Sequence, residues 1–261
     1  MSEKIIRKGT ISDKNSVLEF CKNTFSWGDY IDQVWNYWLK EGNLFIFEKK
    51  SISGICHAFY SDTQVWIEGI RVEPNSRRQK IASQLVQHVE RIGKQKNILF
   101  SYMLIETKNN PSLLMAKSLS YKIFECWNFY TLMPKKNMSD KIQFAKNLSL
   151  NFSHYVKSWR WFPMNDSLLH SFLKQNKIIK SDEPENFSFA ILSESEHFTK
   201  TLIITLFSNS QKSTIEIFKF LQNYAIENDY QRIQILSKED LPVFDKLEKK
   251  ISFYLMKKTL L

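Results

Sequence analysis

The sequence predicts an α/β (α+β) fold that is built twice along the chain. The 261 residues are 43% hydrophobic and 14% aromatic, which is enough to bury a sizeable core in one large domain or two small ones. Short apolar runs typical of strands alternate with segments whose apolar residues recur at helical spacing. A similar element order occurs in both halves, which indicates an internal repeat.

The first half predicts a helical entry followed by strands and helices that end in the order ββαβαβ. After the short strand IIRKG, Ser12 is expected to cap a helix whose Val17, Leu18 and Cys21 share one face. A second helix follows WGDY, and the strands NLFIFEKK and ISGICHAFY resemble a hairpin. The remaining elements are the strand VWIEGIRVEP, the helix QKIASQLVQHVERIGKQ, the strand NILFSYMLIET, the helix NPSLLMAKSL and the strand YKIFECWNFYTLM.

The second half repeats the order ββαβαβ from Phe187 onward. Its segments are the strands FSFAILSES and KTLIITLFSNS, the helix QKSTIEIFKFLQNYAIEN, the strand YQRIQILS, the helix EDLPVFDKLEKK and the strand ISFYLMKK. Aligning Asn209-Ser210 with Asn75-Ser76 sets Thr214 against Lys80 and Glu216 against Ala82. A carboxylate is unfavourable where a polyanion would bind, so this half is expected to be a degenerate copy.

Lysine-rich and asparagine-rich sequence separates the two halves. We therefore predict one domain at residues 1–135, a linker at 136–150 and a second domain at 151–261. Beyond the linker, Trp159, Trp161 and Phe162 stand close together. Aromatic side chains at such junctions usually pack domains together, and the alternative is that they close a ligand cleft.

The charge of the chain suits a polyanionic partner. There are 37 Lys+Arg against 27 Asp+Glu, a net charge of +10, which suits a nucleic acid, a membrane surface or a phosphate-rich cofactor. The lysine pairs are scattered, which disfavours nucleic acid, and solubility is the alternative explanation of the charge. No apolar run approaches the roughly 20 residues of a membrane span. Early charges in MSEKIIRKGT and three widely spaced cysteines predict a reduced, cytoplasmic protein, and five scattered histidines predict no metal site.

The stretch RVEPNSRRQKIASQLVQ, from Arg71 to Gln87, runs from the end of a strand through a turn into a helix. A helix start leaves backbone N–H groups unpaired and carries partial positive charge, so it binds phosphate readily. Arg77 and Arg78 would add charge-assisted contacts. A solvated helix start with two surface arginines is the alternative, since no glycine-rich phosphate loop is present.

Within this stretch, RRQKIA at Arg77 to Ala82 resembles the acyl-CoA-binding motif R/Q-x-x-G-x-G/A of the GNAT superfamily of N-acetyltransferases. The preceding strand VWIEGIRVEP and the later triplet Leu119-Ser120-Tyr121, in the place of the family's LGF or LGY, extend the resemblance over about residues 4 to 133. It implies the GNAT fold, a mixed central sheet flanked by helices, with acetyl-CoA as co-substrate and an amine as acceptor.

The resemblance also implies which residues bind the co-substrate. Ile70, Arg71 and Val72 would line the pantetheine arm through their backbone, and Asn109 would contact the far end of the molecule. The pyrophosphate would rest on the backbone amides of Arg77, Arg78, Gln79, Lys80, Ile81 and Ala82. Lys80 replaces the family's first motif glycine, and a right-handed helical φ is expected there, which would let its amide donate while the side chain turns outward.

Acetyl transfer requires a base, because an ammonium has no lone pair with which to attack a thioester. Glu68, the single carboxylate in the apolar run VWIEGI, is the candidate; the alternatives are an edge glutamate or one paired with Arg71. The family often places a tyrosine acid five residues before the aromatic of its triplet, where this chain has Ala116. Tyr102, Tyr121, Tyr130, a water or proximity alone would have to substitute.

The acceptor side is predicted in TFSWGDYIDQVWNYWLKEG, because the resemblance implies that the first two helices line that side of the cleft. Asp29 would hold a cationic amine while Trp27, Tyr30, Trp35 or Trp38 packs its apolar part. Core packing is the alternative for the helical stripe of Ile31, Val34, Trp35 and Trp38. The acceptor is expected to be a small amine or amino acid, with a protein N-terminus or lysine as the second possibility and a non-catalytic acyl-CoA-binding module as the third. The sequence does not indicate an oligomeric state.

Overall fold

The computed structural model describes residues 4–22, 24, 28–148, 152–183 and 185–261. The chain divides into two compact units: unit 1 comprises Met1–Glu125 and Tyr254–Leu261, and unit 2 comprises Cys126–Phe253. This division differs from the predicted boundaries. Residues 126–135 and the expected linker belong to unit 2. The last residues of the chain belong to unit 1, and no local sequence pattern predicts this long-range placement of a strand.

The predicted order of elements in the first half is confirmed. The helices and strands are β1 Ile5–Lys8, α1 Lys14–Cys21, α2 Ile31–Glu41, β2 Leu44–Glu48, β3 Ile52–Tyr60, β4 Gln64–Val72, α3 Ile81–Gln95, β5 Phe100–Glu106, α4 Asn110–Ser118 and β6 Lys122–Leu132. The prediction that Ser12 caps α1 is wrong. Thr10 and Asp13 instead form a reciprocal capping box around a short 3-10 turn, and the Asp13 carboxylate also pairs with Arg7 at 2.8 Å.

The remaining elements are β7 Ile142–Phe144, β8 His154–Lys157, β9 Arg160–Pro163, α5 Asp166–Lys174, β10 Ile178–Ser181, β11 Phe189–Glu194, β12 Thr201–Phe207, α6 Gln211–Glu227, β13 Arg232–Ser237 and β14 Leu247–Thr259. The predicted helix EDLPVFDKLEKK is wrong. Residues 238–246 form turns and coil, and β14 begins at Leu247. Strand pairing thus overrides the local helical preference of the Leu247–Lys250 segment.

Sheet topology repeats between the two units. In unit 1, β1, β2, β3 and β4 pair antiparallel in that order, and β4 pairs parallel with β5 across α3. In unit 2, β7, β10, β11 and β12 pair antiparallel, and β12 pairs parallel with β13 across α6. The same sequence of pairings in both units supports the predicted repeat directly.

Helices cover both faces of the unit 1 sheet. The apolar stripe of α3, with Leu85, Val86 and Val89, is buried in one core together with Val65 and Ile67 of β4. On the other face, Ile31, Val34, Trp35 and Trp38 of α2 are buried in a second core. The alternative that these α2 residues form core is therefore confirmed. Alternating side chains of β2 supply both cores, Phe45 and Phe47 the first and Leu44 and Ile46 the second, as the period of a strand requires.

The C-terminal residues complete the core of unit 1. Met256 and Leu260 are buried against α3 and β5 residues, and the Leu260 amide donates to the carbonyl of Leu99 at 2.8 Å. Lys258 pairs with the buried Glu90 of α3 at 2.7 Å. Unit 1 therefore depends on a segment more than a hundred residues distant in sequence.

The aromatic cluster near residue 160 lies on the β8–β9 hairpin, inside unit 2. Trp161 is buried edge-on against Trp127 with ring centroids 5.5 Å apart. Trp159 contacts Phe129, and its indole N–H donates to Gln234 at 2.9 Å. These contacts are internal to unit 2 rather than the domain junction that was expected. In the described part of the chain, none of the helices is both long and apolar enough to cross a bilayer.

Candidate active site

The unit 1 sheet opens beyond the middle of β4. Backbone pairing with β5 runs from Gln64 opposite Phe100 to Ile67 opposite Met103, whereas β4 continues to Val72. The strand therefore has a stretch, from Glu68 to Val72, outside the ladder with β5. A strand edge that leaves its neighbour in this way can pair with an extended ligand.

A β-bulge lies at the start of this opening. On one side of it His57 of β3 faces Glu68, and on the other side Ile55 faces Arg71, so that β4 carries one extra residue. Gly69 has a φ of +62° there. A Cβ on Gly69 would lie 2.2 Å from the indole ring of Trp38, so the bulge requires glycine both for its backbone angle and for the packing of α2.

The Glu68 carboxylate points to the α2 face and is held by two donors. One oxygen lies 2.9 Å from Nδ1 of His57, and the other accepts from the indole N–H of Trp66 at 3.2 Å. The side chain keeps 14% of its surface exposed. Glu68 is thus oriented, partly buried and reachable, which are the properties of a general base. Arg71, which the alternative pairs with Glu68, donates to the carboxylate of Asp29.

His57 lies between two carboxylates. Its ring is fully buried, with Nε2 3.2 Å from a carboxylate oxygen of Glu41, at the end of α2. The Trp38 indole stacks on the imidazole, with centroids 4.7 Å apart and planes within 1°. Sequence reasoning missed His57 and Glu41. Counting back from the β3–β4 turn, where Tyr60 pairs with Val65, would have placed His57 opposite Glu68.

Glu41, His57 and Glu68 are also the one group among the described residues whose ligand atoms lie close enough to share a metal ion. The geometry does not favour this. The two ring nitrogens of an imidazole point in different directions, and here each faces a different carboxylate, so the three side chains do not converge on one point as ligands of a single ion do. The arrangement is a carboxylate–imidazole–carboxylate row.

The loop between β4 and α3 supplies the predicted phosphate-binding segment. Residues Pro74–Ser76 form a short 3-10 turn, and Arg77, Arg78, Gln79 and Lys80 follow with exposed side chains. Arg78 and Lys80 have φ values of 64° and 62°. The expectation of a right-handed φ at Lys80 is therefore wrong: Lys80 occupies the left-handed region, which accommodates glycine without steric cost and a lysine only with strain.

The start of α3 is uncapped. Lys80 occupies the N-cap position without a side-chain cap, and the first turn, beginning at Ile81 and Ala82, contains no acid. Unpaired amides at the start of a helix this long form a favourable place for an anion. Among the described residues, Arg77 makes one long side-chain contact, 3.4 Å from its Nε to the carbonyl of Val72, so its guanidinium can turn to such an anion.

The remaining residues predicted to bind the co-substrate, Ile70, Val72 and Asn109, differ in which of their polar groups are already hydrogen-bonded. The Glu73 amide donates to Ser53 of β3, and because backbone groups alternate along an antiparallel pair, those of Val72 point towards the opening. The carbonyl of Ile70 accepts from Arg71 at 3.0 Å. Asn109 caps α4 by accepting from the Ser112 amide at 3.2 Å and is exposed, so its side-chain N–H₂ points away from that cap.

The predicted amine anchor, Asp29, is already paired. Arg71 donates to both of its carboxylate oxygens, at 2.7 and 3.1 Å, and the Ile31 amide lies 3.2 Å from one of them. Only 4% of the Asp29 side chain is exposed. The Arg71 guanidinium also lies 5.3 Å from the centroid of the Tyr30 ring. Asp29, Arg71 and Tyr30 thus form one buried group beside Glu68, while the predicted contact Trp27 lies outside the described residues.

Three tyrosines are candidates for the general acid that would protonate the CoA thiolate in place of the family's tyrosine. Tyr121 is buried and hydrogen-bonds the Ser101 hydroxyl at 2.5 Å, and burial holds its pKa well above the ordinary value. Burial raises the pKa of Tyr102 to about 12. Tyr130 belongs to unit 2, where its hydroxyl accepts from the Leu241 amide. Ala116, at the family's tyrosine position, is fully buried.

Unit 2 lacks the corresponding opening. The pairing of β12 with β13 continues over nearly the whole strand, from Thr201 to Leu206, and no bulge interrupts β12. The connection from β12 to α6 is only Ser208–Ser210, compared with Glu73–Lys80 in unit 1. The predicted alignment of Thr214 with Lys80 is therefore wrong, since Ser210 occupies the N-cap position of α6.

Side chains at the start of α6 hydrogen-bond to a backbone amide there and to one another. Ser210 accepts from the Ser213 amide. Buried hydroxyls of Ser188, Ser213 and Thr214 hydrogen-bond one another at 2.6 and 2.9 Å, and Glu216 bonds Ser139 and Lys219. Among the described residues, these hydrogen bonds use the Ser213 amide and the hydroxyl groups at the start of α6; the loss of a cofactor site in this half stays a prediction.

Comparison with known proteins identifies the fold. Residues 15–121 match the model described as Acetyltransferase (GNAT) family. A putative acetyltransferase from Thermoplasma acidophilum aligns with a TM-score of 0.66 at 14% identity, covering 98% of this chain and 99% of that one. A GCN5-related N-acetyltransferase from Sphaerobacter thermophilus aligns with a TM-score of 0.64 at 10% identity over 98% and 96% of the two chains. No curated protein matches the chain in sequence.

Proposed function

Residues 15–121 form a GNAT acetyltransferase domain, and on this premise we propose that the protein transfers an acetyl group from acetyl-CoA to a primary amine. One observation carries the proposal. An oriented, partly exposed carboxylate, Glu68, lies where β4 leaves its pairing with β5, in the strand that leads to an uncapped helix start bearing two arginines. This combines a base with a phosphate site, as the reaction requires.

Acetyl-CoA would supply the thioester carbon. In the proposed reaction the C–N bond forms, the C–S bond breaks, and the proton of the attacking amine passes to Glu68, whose hydrogen bonds to His57 and Trp66 hold it in place. The CoA sulfur leaves as a thiolate or takes a proton from water. Proximity and one general base are together sufficient for this class of reaction.

The co-substrate would be bound by unit 1 alone. The amides from Arg77 to Ala82 and the guanidiniums of Arg77 and Arg78 would hold the pyrophosphate, the β4 backbone from Ile70 to Val72 would pair with the pantetheine arm, and Asn109 would reach the far end. The exposed loop and the uncapped α3 support this assignment. The filled start of α6 leaves no equivalent place in unit 2.

We propose a small amine or amino acid as the acceptor. Asp29 would contribute indirectly, since Arg71 already neutralises its charge, and the carboxylates nearest to an incoming amine are then Glu68 and Glu41. Tyr30 would form part of the wall, together with Trp27. A protein N-terminus or lysine is the alternative acceptor, and competition by peptides against free amines in the same assay would distinguish the two.

The proposed setting is the cytoplasm. All three cysteines, Cys21, Cys56 and Cys126, are free, and disulfides rarely persist in that compartment. Burial raises the pKa of the Cys21 thiol to about 12, so this cysteine is unreactive. Fractionation of cells that express the native protein would test the location.

The first experiment is a calorimetric titration with acetyl-CoA, using CoA and ATP as controls for general attraction to polyanions. We expect one acetyl-CoA per chain, bound much more tightly than ATP. In acetylation assays Glu68→Gln should lower kcat by about 10²–10⁴-fold with little change in acetyl-CoA affinity. Glu19→Gln, an exposed glutamate of α1, is the matched control and should behave as wild type. Equal turnover in wild type and Glu68→Gln would contradict the base assignment.

A second candidate function is an acyl-CoA-binding module without turnover. It is favoured by the strained Lys80 and by Ala116 at the family's tyrosine position. Saturable binding of acetyl-CoA without acetylation of any amine in a broad panel would support it. Failure to bind acetyl-CoA at all would reject both functions.

A further inference from the structure

The row Glu41–His57–Glu68 has a role that the proposed base does not by itself explain. His57 is completely buried, and Glu41 and Glu68 retain 15% and 14% of their side-chain surface. The two carboxylates therefore keep some contact with water, whereas the imidazole between them has none. The polar atoms placed at its nitrogens are carboxylate oxygens, at 2.9 and 3.2 Å.

The charges of the two carboxylates favour a protonated imidazole between them. Two carboxylates brought within reach of one another repel unless a cation or a proton lies between them. An imidazolium carries an N–H on each ring nitrogen, so it can donate from Nδ1 to Glu68 at 2.9 Å and attract Glu41 at Nε2 across 3.2 Å, an ion-pair contact without hydrogen-bond geometry. A buried charge that is paired with two carboxylates avoids the large cost of burial alone. The indole of Trp38 stacks parallel to the ring, a position that favours a cation over the aromatic face.

We propose that His57, held as an imidazolium by Glu41 and by the stacked Trp38, is a positioning residue that keeps the Glu68 carboxylate ionised and aimed at the acceptor amine. The inference rests on the proposed function. His57 contacts Glu68 rather than the reacting atoms, and it acts by attracting and orienting the carboxylate. Glu41 acts one step further away by holding the charge on His57.

Other titratable and charged groups face this row and also affect the charge of His57 and Glu68. From the segment before α2, Tyr30 and Asp29 face it together with Arg71 of β4. Burial raises the pKa of Tyr30, while the nearby Arg71 opposes this rise. From β3, Cys56 is buried, and burial together with the charge of Glu68 raises its thiol pKa far above the ordinary value. Tyr30 and Cys56 thus remain neutral near pH 7, and Asp29 and Arg71 neutralise each other.

The direct test is nitrogen NMR of histidine-labelled protein at pH 7, with His57→Gln used to assign the ring signals among the five histidines. We expect both ring nitrogens of His57 to be protonated in wild type. In Glu41→Gln, which removes the charge but keeps the shape, the ring should become neutral with the proton on Nδ1. A neutral His57 in wild type, or a spectrum unchanged by Glu41→Gln, would overturn the proposal whether or not turnover is detected.

The kinetic test compares pH profiles of kcat/KM for one amine. Loss of the cation next to Glu68 should move the acidic limb upward by about one pH unit in Glu41→Gln and in His57→Gln, with KM for acetyl-CoA unchanged. His170→Gln, an exposed histidine of unit 2, is the matched control. Profiles that coincide with wild type, in a protein that Glu68→Gln inactivates, would overturn the positioning role and leave the base assignment intact. Absence of turnover in wild type would instead count against the proposed function.

Discussion

Lys80 illustrates how one residue departs from what its position requires. Lys80 is the N-cap residue of α3, at the proposed phosphate site, and its φ is 62°. A left-handed backbone costs a residue with a Cβ about 1–2 kcal/mol and glycine nearly nothing. In the proposed phosphate site, lysine would supply a positive charge in exchange for this strain.

We therefore predict that Lys80→Gly is more stable than Lys80→Ala by about 1 kcal/mol, since both lack the charge and only alanine keeps the strain. If the loop binds the pyrophosphate, Lys80→Gly should also bind acetyl-CoA more tightly than Lys80→Ala. Urea denaturation and calorimetry would measure the two differences. Identical stability of the two variants would mean that the left-handed angle is not maintained in solution.

At the scale of elements, the β-bulge of β4 and the helix α2 are fitted to each other through Gly69 and Trp38. The bulge sets Glu68 opposite His57 and allows β4 to continue beyond its pairing with β5. Trp38 packs where a Cβ on Gly69 would lie and stacks on His57. The orientation of Glu68 thus depends on the packing of α2 against Gly69, the irregular residue of the strand.

Gly69→Ala should destabilise the protein by about 1–2 kcal/mol for the left-handed backbone and by a further 1–3 kcal/mol or so for the clash with Trp38. Gly42→Ala is the matched control, because Gly42 also has a positive φ, 80°, but open space where a Cβ would lie. It should show the backbone cost alone. Chemical denaturation of both variants would give the difference, and equal losses would exclude the predicted clash.

At the scale of the whole molecule, the chain returns to unit 1 at its end. Residues 254–261 contribute buried side chains to the core beneath α3, and Lys258 offsets the buried charge of Glu90. The domain that holds the candidate site is therefore not a continuous piece of sequence. Removing the tail would expose apolar core residues and leave Glu90 without its cation.

Met256→Ala should lower the free energy of unfolding by about 2–5 kcal/mol through cavity formation. Leu261→Ala, at a position that is 60% exposed, should change it by less than about 0.5 kcal/mol.

A chain ending at Phe253 should lose acetyl-CoA binding together with unit 1 stability. Urea denaturation of the point variants and calorimetry of the truncated chain would measure these effects. A stable, acetyl-CoA-binding truncated chain would contradict the assignment of the tail to unit 1.

The sequence by itself determined the elements of the first half and the resemblance of residues 15–121 to the GNAT family, because periodicity and the loop before α3 are local properties. The repeated order of elements was also visible in it. It also placed Glu68 in a strand and Arg77 and Arg78 before a helix. Local pattern failed at residues 239–250, where an apparent helix is coil followed by β14, since pairing with distant strands outweighed propensity.

Only the tertiary structure decided how the side chains of the candidate site are paired. The pairing of Asp29 with Arg71, the row formed by Glu41, His57 and Glu68, and the left-handed angle at Lys80 depend on strand register, on a bulge and on the packing of α2. Division of the chain into units likewise depended on where its last residues pack. These features join residues far apart in sequence, and their energies come from burial and charge pairing that no local window contains.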